Sequence, residues 1–131
     1  MAHAEYVPGT CNIGPAETAL RIRTGWWALA LTLLLFVVLA AFSLRPPWAL
    51  LLFVPSSVSA VGFIQARMHF CAAFGMKGVF NLGAGVGRTE TVTQAEFRRR
   101  DRRKAVLIIV YAVCAGIVVT CAGWILLRGV T

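Results

Sequence analysis

Side chains capable of chemistry are scarce in this chain, and those that could act together are two cysteines and two histidines. Cys71 follows His69 by two residues, and Cys11 follows His3 by eight. Brought together, His3, Cys11, His69 and Cys71 would offer the nitrogen and sulfur ligands that hold zinc in a tetrahedron. Their spacing argues against it, since structural zinc sites favour close pairs such as C-x-x-C and none is present. The expectation is therefore no bound metal and no cofactor, with free thiols that are buried or interfacial. A thiol or redox-sensing role for Cys11 and Cys71 is the alternative function class. A disulfide between them is disfavoured in a reducing compartment. Cys114 and Cys121 are seven residues apart, about 10 Å along a helix, which is too far for a bridge. They read as small fillers at a helix contact.

Acid–base chemistry has little to work with. The acids are Glu5, Glu17, Glu90, Glu96 and Asp101, and none lies inside a long apolar run. Proton relays and ion pathways need ionisable groups within the membrane, and three spans are few for a transporter built from repeats. No nucleophile elbow, metalloprotease helix or phosphate loop occurs. The "GAGVG" at 83–87 lacks the G-x-G-x-x-G spacing and a preceding soluble strand. The chain is not expected to be an enzyme, and no catalytic residue is assigned.

The elements that would carry these residues are set by composition. Of the 131 residues, 59% are hydrophobic and only 14% charged, with a mean hydropathy of +0.76. A soluble domain carries about a quarter charged residues. Three uncharged runs cover 26–44, 48–66 and 105–127, each near the ~20 residues that cross a bilayer as a helix. Helices are expected because lipid leaves no other partner for the backbone polar groups. Trp26, Trp27, Trp48 and Trp124 fall near run ends, where indoles favour the interface. Pro55, Ser56, Ser57 and Ser59 make the second run the most polar. A cleaved signal peptide fits the first run poorly, because a long polar leader precedes it. The fold class is thus an all-α integral membrane protein of three transmembrane helices, forming one domain over 1–131.

Charge orients it. Eleven of the thirteen cations lie before the first run or between the second and third, and only Arg45 and Arg128 lie on the other side. By the positive-inside rule the leader (1–25) and the loop (67–104) face the cytoplasm and the C-terminus faces out. A bacterial-type plasma membrane is the expected location. Within the loop, Arg98, Arg99, Arg100, Arg102, Arg103 and Lys104 flank Asp101 directly before the third run. That position suits an anchor on anionic lipid head groups or a contact with a partner subunit, and nucleic acid is not expected.

Local signals complete the outline. Pro15 and Glu17 suit the first turn of a helix, so a short helix is expected to run from the leader into the first span. "RPP" at 45–47 makes a short turn between antiparallel spans. Residues 70–87 are apolar but glycine-broken, expected as an interfacial, re-entrant or loop segment with Phe70, Phe74 and Phe80 toward lipid and Lys77 snorkelling. Thr93 and Glu96 have capping-box spacing for a helix that continues into the third span. Ala112, Gly116 and Thr120, with Ser56/Ala60 and Ser59/Gly62, form small-residue faces for helix packing. Together these point to a non-catalytic accessory or assembly subunit packed against other membrane subunits or itself, the alternatives being the thiol or metal protein and an anionic-lipid binder. The proline- and glycine-rich stretch 6–17 poses a narrower question: whether it folds back onto the end of the second span, with Cys11 near 68–71.

Overall fold

The computed structural model describes residues 5–130. Three helical stretches are long and apolar enough to cross a membrane, which places the chain among membrane proteins. α1 runs Pro15–Ala41, with Gly14 at its N-cap and Glu17 in its first turn. A turn through Ser43, in the left-handed region at φ 50°, leads to a 3-10 helix at Pro46–Leu52 and directly into α2 (Phe53–Met68). Seven residues is long for a 3-10 helix. Pro55 has no N–H to offer the carbonyl four residues back, which weakens α-helical pairing before it. The second span is therefore one helical stretch of two geometries.

Beyond α2 the chain folds a short helix, α3 (Ala72–Lys77), and a two-stranded antiparallel ladder, β1 (Val79–Phe80) with β2 (Glu90–Thr91). α4 then runs unbroken over Ala95–Val130 and carries the basic run on its first turns. Its start differs from the capping-box expectation. The carbonyl of Gln94 accepts from the N–H of Arg98, so Gln94 takes the cap position. The Arg98 guanidinium holds the carbonyls of Val92 and Thr93, and Glu96 turns to Arg100 at 2.8 Å.

α2 is the central helix. It packs on both α1 and α4, which scarcely meet each other. The α1–α2 crossing depends on glycine. A Cβ on Gly62 would lie 2.7 Å from the carbonyl oxygen of Arg21 and 2.8 Å from the nitrogen of Gly25. The hydroxyl of Ser59 donates to the Gly25 carbonyl at 2.9 Å in the same contact. On α4 the buried stripe is Ala105, Ile108, Ala112, Gly116, Thr120, Gly123 and Leu127. Gly116 faces Ser57 and Phe53, and Gly123 faces Leu52, with no room for a side chain at either. Ala112, Gly116 and Thr120 are thus occupied within the chain rather than offered to a partner. Cys114 and Cys121 are exposed: they lie off the three-and-four-residue stripe and fill no helix contact.

Apolar clusters lock the two ends of the bundle. Leu39, Ala49, Leu52 and Leu127 pack together at one end. At the other, Phe70 meets Ala72, Ala105 and Ile108. Phe70 is fully buried, so it does not face lipid as expected. His69 takes the left-handed conformation at the end of α2, φ 53°, and the reversal swings the next side chain inward between α2 and α4. Phe74 and Phe80 are half-buried and Lys77 is exposed. The outer faces of the long helices are apolar, as at Leu34, Val118 and Ile125.

Gly62→Ala is expected to destabilise the bundle, because the added methyl meets backbone atoms that cannot swing aside, at a cost of about 1–3 kcal/mol. Gly129→Ala, with nothing within 4 Å of its Cβ position, is expected to leave stability unchanged. Thermal unfolding of both variants in the same detergent checks this.

Candidate functional site

The polar groups of the chain gather at the end of the bundle where α1 and α4 begin. Residues 6–14 do fold back onto the end of α2, and the residue that anchors them is Asn12. Its Nδ2 donates to the Cys71 carbonyl at 3.1 Å, and its Oδ1 accepts from the Cys71 N–H at 2.6 Å. Asn12 is fully buried. The backbone N–H groups of Asn12 and Ile13 donate to the His69 carbonyl, and Asn12 and Asn81 exchange a further backbone bond. The leader thereby joins the α2–α3 corner on one side and Asn81, just past β1, on the other.

Gly14 and Glu17 extend this seam. A Cβ on Gly14 would be 2.7 Å from the Leu82 carbonyl oxygen, so glycine lets the leader lie flat on the loop. Glu17, 1% exposed, has partners on both carboxylate oxygens. Oε1 accepts from Asn81 Nδ2 at 3.0 Å and from the Gly87 N–H at 2.7 Å, while Oε2 meets Arg21 at 3.2 Å. Asn81 in turn donates to the Gly85 carbonyl and accepts from the Gly83 N–H. The glycine-rich 83–87 segment is thus a loop tied down by two buried side chains, not a free one.

A second clamp reaches α4. Asp101 is fully buried, with Oδ2 accepting from the Tyr6 hydroxyl at 2.6 Å and Oδ1 from the Gly9 N–H at 2.7 Å. The Tyr6 ring stacks on Phe80, centroids 4.5 Å apart. Burial, reinforced by the hydrogen bond to Asp101 and its charge, raises the Tyr6 phenol well above its usual range. The single acid within the basic run therefore binds the leader.

The metal and thiol candidates are arranged differently from a ligand shell. His3 lies outside the described residues. His69 is exposed and contributes its backbone. The Cys11 thiol donates to the Ile13 carbonyl at 3.6 Å, and the buried Cys71 sulfur accepts from Arg21 at 3.1 Å. The same guanidinium lies over the Phe74 ring. Both cysteines are free, and among the described residues no three His, Cys, Asp or Glu side chains gather as metal ligands. Of the basic run, Arg98 and Arg100 hold local bonds, and Arg103 and Lys104 border an open groove beside Pro8 and Gly9.

Asn12 was not among the residues the sequence singles out. One asparagine in a turn-rich leader reads as a turn former, and nothing local marks it as the partner of a backbone 59 residues away. Asn81, Tyr6 and the buried face of Asp101 are likewise long-range features.

Asn12→Ala is expected to strip the partner from the buried N–H of Cys71, at about 1–3 kcal/mol for an unpaired group, while the Cys71 carbonyl keeps the Gly75 N–H, and to release residues 6–13. Hydrogen exchange of those amides, faster in the variant at neutral pH, checks it. Burial also raises the Cys11 thiol above its ordinary pKa. The thiolate is the reactive form, so at pH 7 iodoacetamide is expected to alkylate Cys11 more slowly than a free cysteine peptide, and faster once Asn12→Ala frees the leader. Comparison with family models, with curated proteins and with solved structures finds no match to this chain, so its function rests on this geometry.

Proposed function

We propose that the chain is a non-catalytic, small polytopic membrane protein that serves as an accessory or assembly subunit of a larger membrane complex. The observation that carries the reading is a cleft between the two outer helices. Because α1 and α4 both pack on α2 and scarcely meet each other, they leave an apolar groove of about 290 Å³ between them. Leu33 and Phe36 line it from α1, Val119 and Leu126 from α4, and the exposed Ala122 supplies a small residue at its rim. Small residues allow a further helix to approach closely, and packing rather than hydrophobicity drives helix association in lipid. The alternative thiol or metal reading has less support, since Arg21 already engages the Cys71 sulfur and the Cys11 thiol is directed at a backbone carbonyl.

In this reading the capped end faces the cytoplasm, because it holds the excess of cations. Alkaline phosphatase joined after 131 is then expected to be active and the same reporter joined within 83–87 inactive. The reverse pattern would invert the orientation.

Assembly is tested by blue-native electrophoresis of mildly solubilised membranes. Wild type is expected in a band well above the monomer, and Leu33→Trp with Val119→Trp, which fill the cleft from lipid-facing positions, is expected to shift the chain to the monomer position. Wild type migrating only as a monomer would overturn the proposal.

A further inference from the structure

The groove beside the leader has a different character from the α1–α4 cleft. It is an open depression of about 740 Å³ where the turn at Pro8 and Gly9 lies along the first turns of α4. Gly9, at φ +70°, is pressed so close to Arg100 that a Cβ there would sit 3.2 Å from the arginine's own Cβ. From Arg100 the floor follows one face of α4 through Arg103 and Lys104 to Leu107 and Val110. The change from cationic to apolar occurs at Lys104, the last charge before the uncharged run 105–127. By the composition of that run, this is where head groups would give way to hydrocarbon.

These cations are available to a ligand. Arg100 shares its guanidinium with exposed Glu96. Among the described residues no carboxylate pairs with Arg103 or Lys104. The nearest acid in sequence, Asp101, is turned inward onto Tyr6 and Gly9. Below them Leu107 and Val110 are 40% and 49% exposed. From Lys104 to Val110 is about 9 Å of helix rise, comparable with the glycerol backbone and first methylenes of a lipid.

We propose that this groove is a site for one anionic glycerophospholipid in the leaflet at the leader's end of the bundle. Its phosphate rests on Arg103 and Lys104 with Arg100 at the rim, and an acyl chain runs along Leu107 and Val110. A free phosphate would meet only the upper half of this surface, and a zwitterionic lipid would bring its own cation against the arginines. The leader forms the second wall, so the buried clamp of Tyr6 and Gly9 on Asp101 also builds the lipid groove. The site is separate from the α1–α4 cleft and does not rest on the assembly reading.

Native mass spectrometry of the full chain in a mild detergent tests it. With added phosphatidylglycerol one molecule is expected to stay on the protein, phosphatidylcholine is expected to be retained at least tenfold less, and millimolar inorganic phosphate is expected not to displace the bound lipid. Each cation near an anionic lipid contributes enough that losing two weakens retention roughly tenfold or more. Arg103→Gln with Lys104→Gln should show that loss. Arg99→Gln with Arg102→Gln removes the same charge from outside the groove and should change retention less than twofold. Circular dichroism verifies the fold of both, and Arg103→Lys with Lys104→Arg should restore binding. Equal losses in the two double variants would overturn the site in favour of diffuse attraction by the basic run. Displacement by phosphate would reduce it to an anion contact, and equal retention of phosphatidylcholine would reduce it to unspecific lipid.

Discussion

The whole capped end depends on the pairing of one carboxamide with the backbone N–H and C=O of a single residue. Asn12 offers a donor and an acceptor in a single plane, and the N–H and C=O of Cys71 present the complementary pair. The Cys71 N–H lies at the N-cap of α3, outside the ladder of either helix, and is expensive to bury bare, while its carbonyl already opens α3 by accepting from the Gly75 N–H. Asn12 supplies what water would otherwise supply, and in doing so it fixes where the leader lies. From that point Gly14 reaches Asn81, Glu17 reaches the 83–87 loop, and Tyr6 and Gly9 reach Asp101. A network of this kind is stable only when complete, because a partly satisfied buried group costs more than an apolar one.

The two ends of the molecule are thus held by different physics. Away from the cap, helix contacts are made by absence of side chain: Gly25 against Gly62, Gly116 against Ser57. In lipid these contacts gain from close packing, since burying apolar surface away from lipid tails yields little. At the cap, where water competes, hydrogen bonds and aromatic stacking join the leader and loop around the smaller apolar cluster of Phe70. Arg21 stands at the junction, reaching Glu17, the Cys71 sulfur and the Phe74 ring from a single side chain. Its guanidinium suits this position, combining planar donors with a face that packs on an aromatic ring.

How much of this is legible in the sequence follows from the range of each interaction. The three spans are visible because hydropathy is local and membrane thickness sets their length. Pro15 opening α1 is visible for the same reason. The inward turn of Phe70 is not, because it depends on His69 adopting a left-handed conformation that no single residue type announces. Thr93 and Glu96 have the right spacing for a cap, but Arg98 claims the carbonyls ahead of the helix and Glu96 finds Arg100. Cys11 drew attention by its chemistry, whereas its neighbour Asn12 holds the contact by geometry. Ala112, Gly116 and Thr120 were legible as a packing face, but a periodic stripe does not say which helix will cover it.

The range of the clamps also constrains the order in which the molecule can form. The α1–α2 crossing involves residues close in sequence, such as Ser59 and Gly25, and needs only the first two spans. The bonds of Tyr6 and Gly9 to Asp101 span 95 and 92 residues, so they cannot exist until the start of α4 has been made. They also require the leader and the loop to lie on the same side of the membrane, which holds only if α1 and the second span cross as a pair. A leader on the wrong side would strip Asp101 of the Tyr6 and Gly9 donors and part Glu17 from Asn81 and Gly87, at about 1–3 kcal/mol for each buried polar group left unpaired. The polar cap therefore stabilises one topology over its alternatives by a margin that the cations outside it do not supply, and it completes the wall of the basic groove only in that topology.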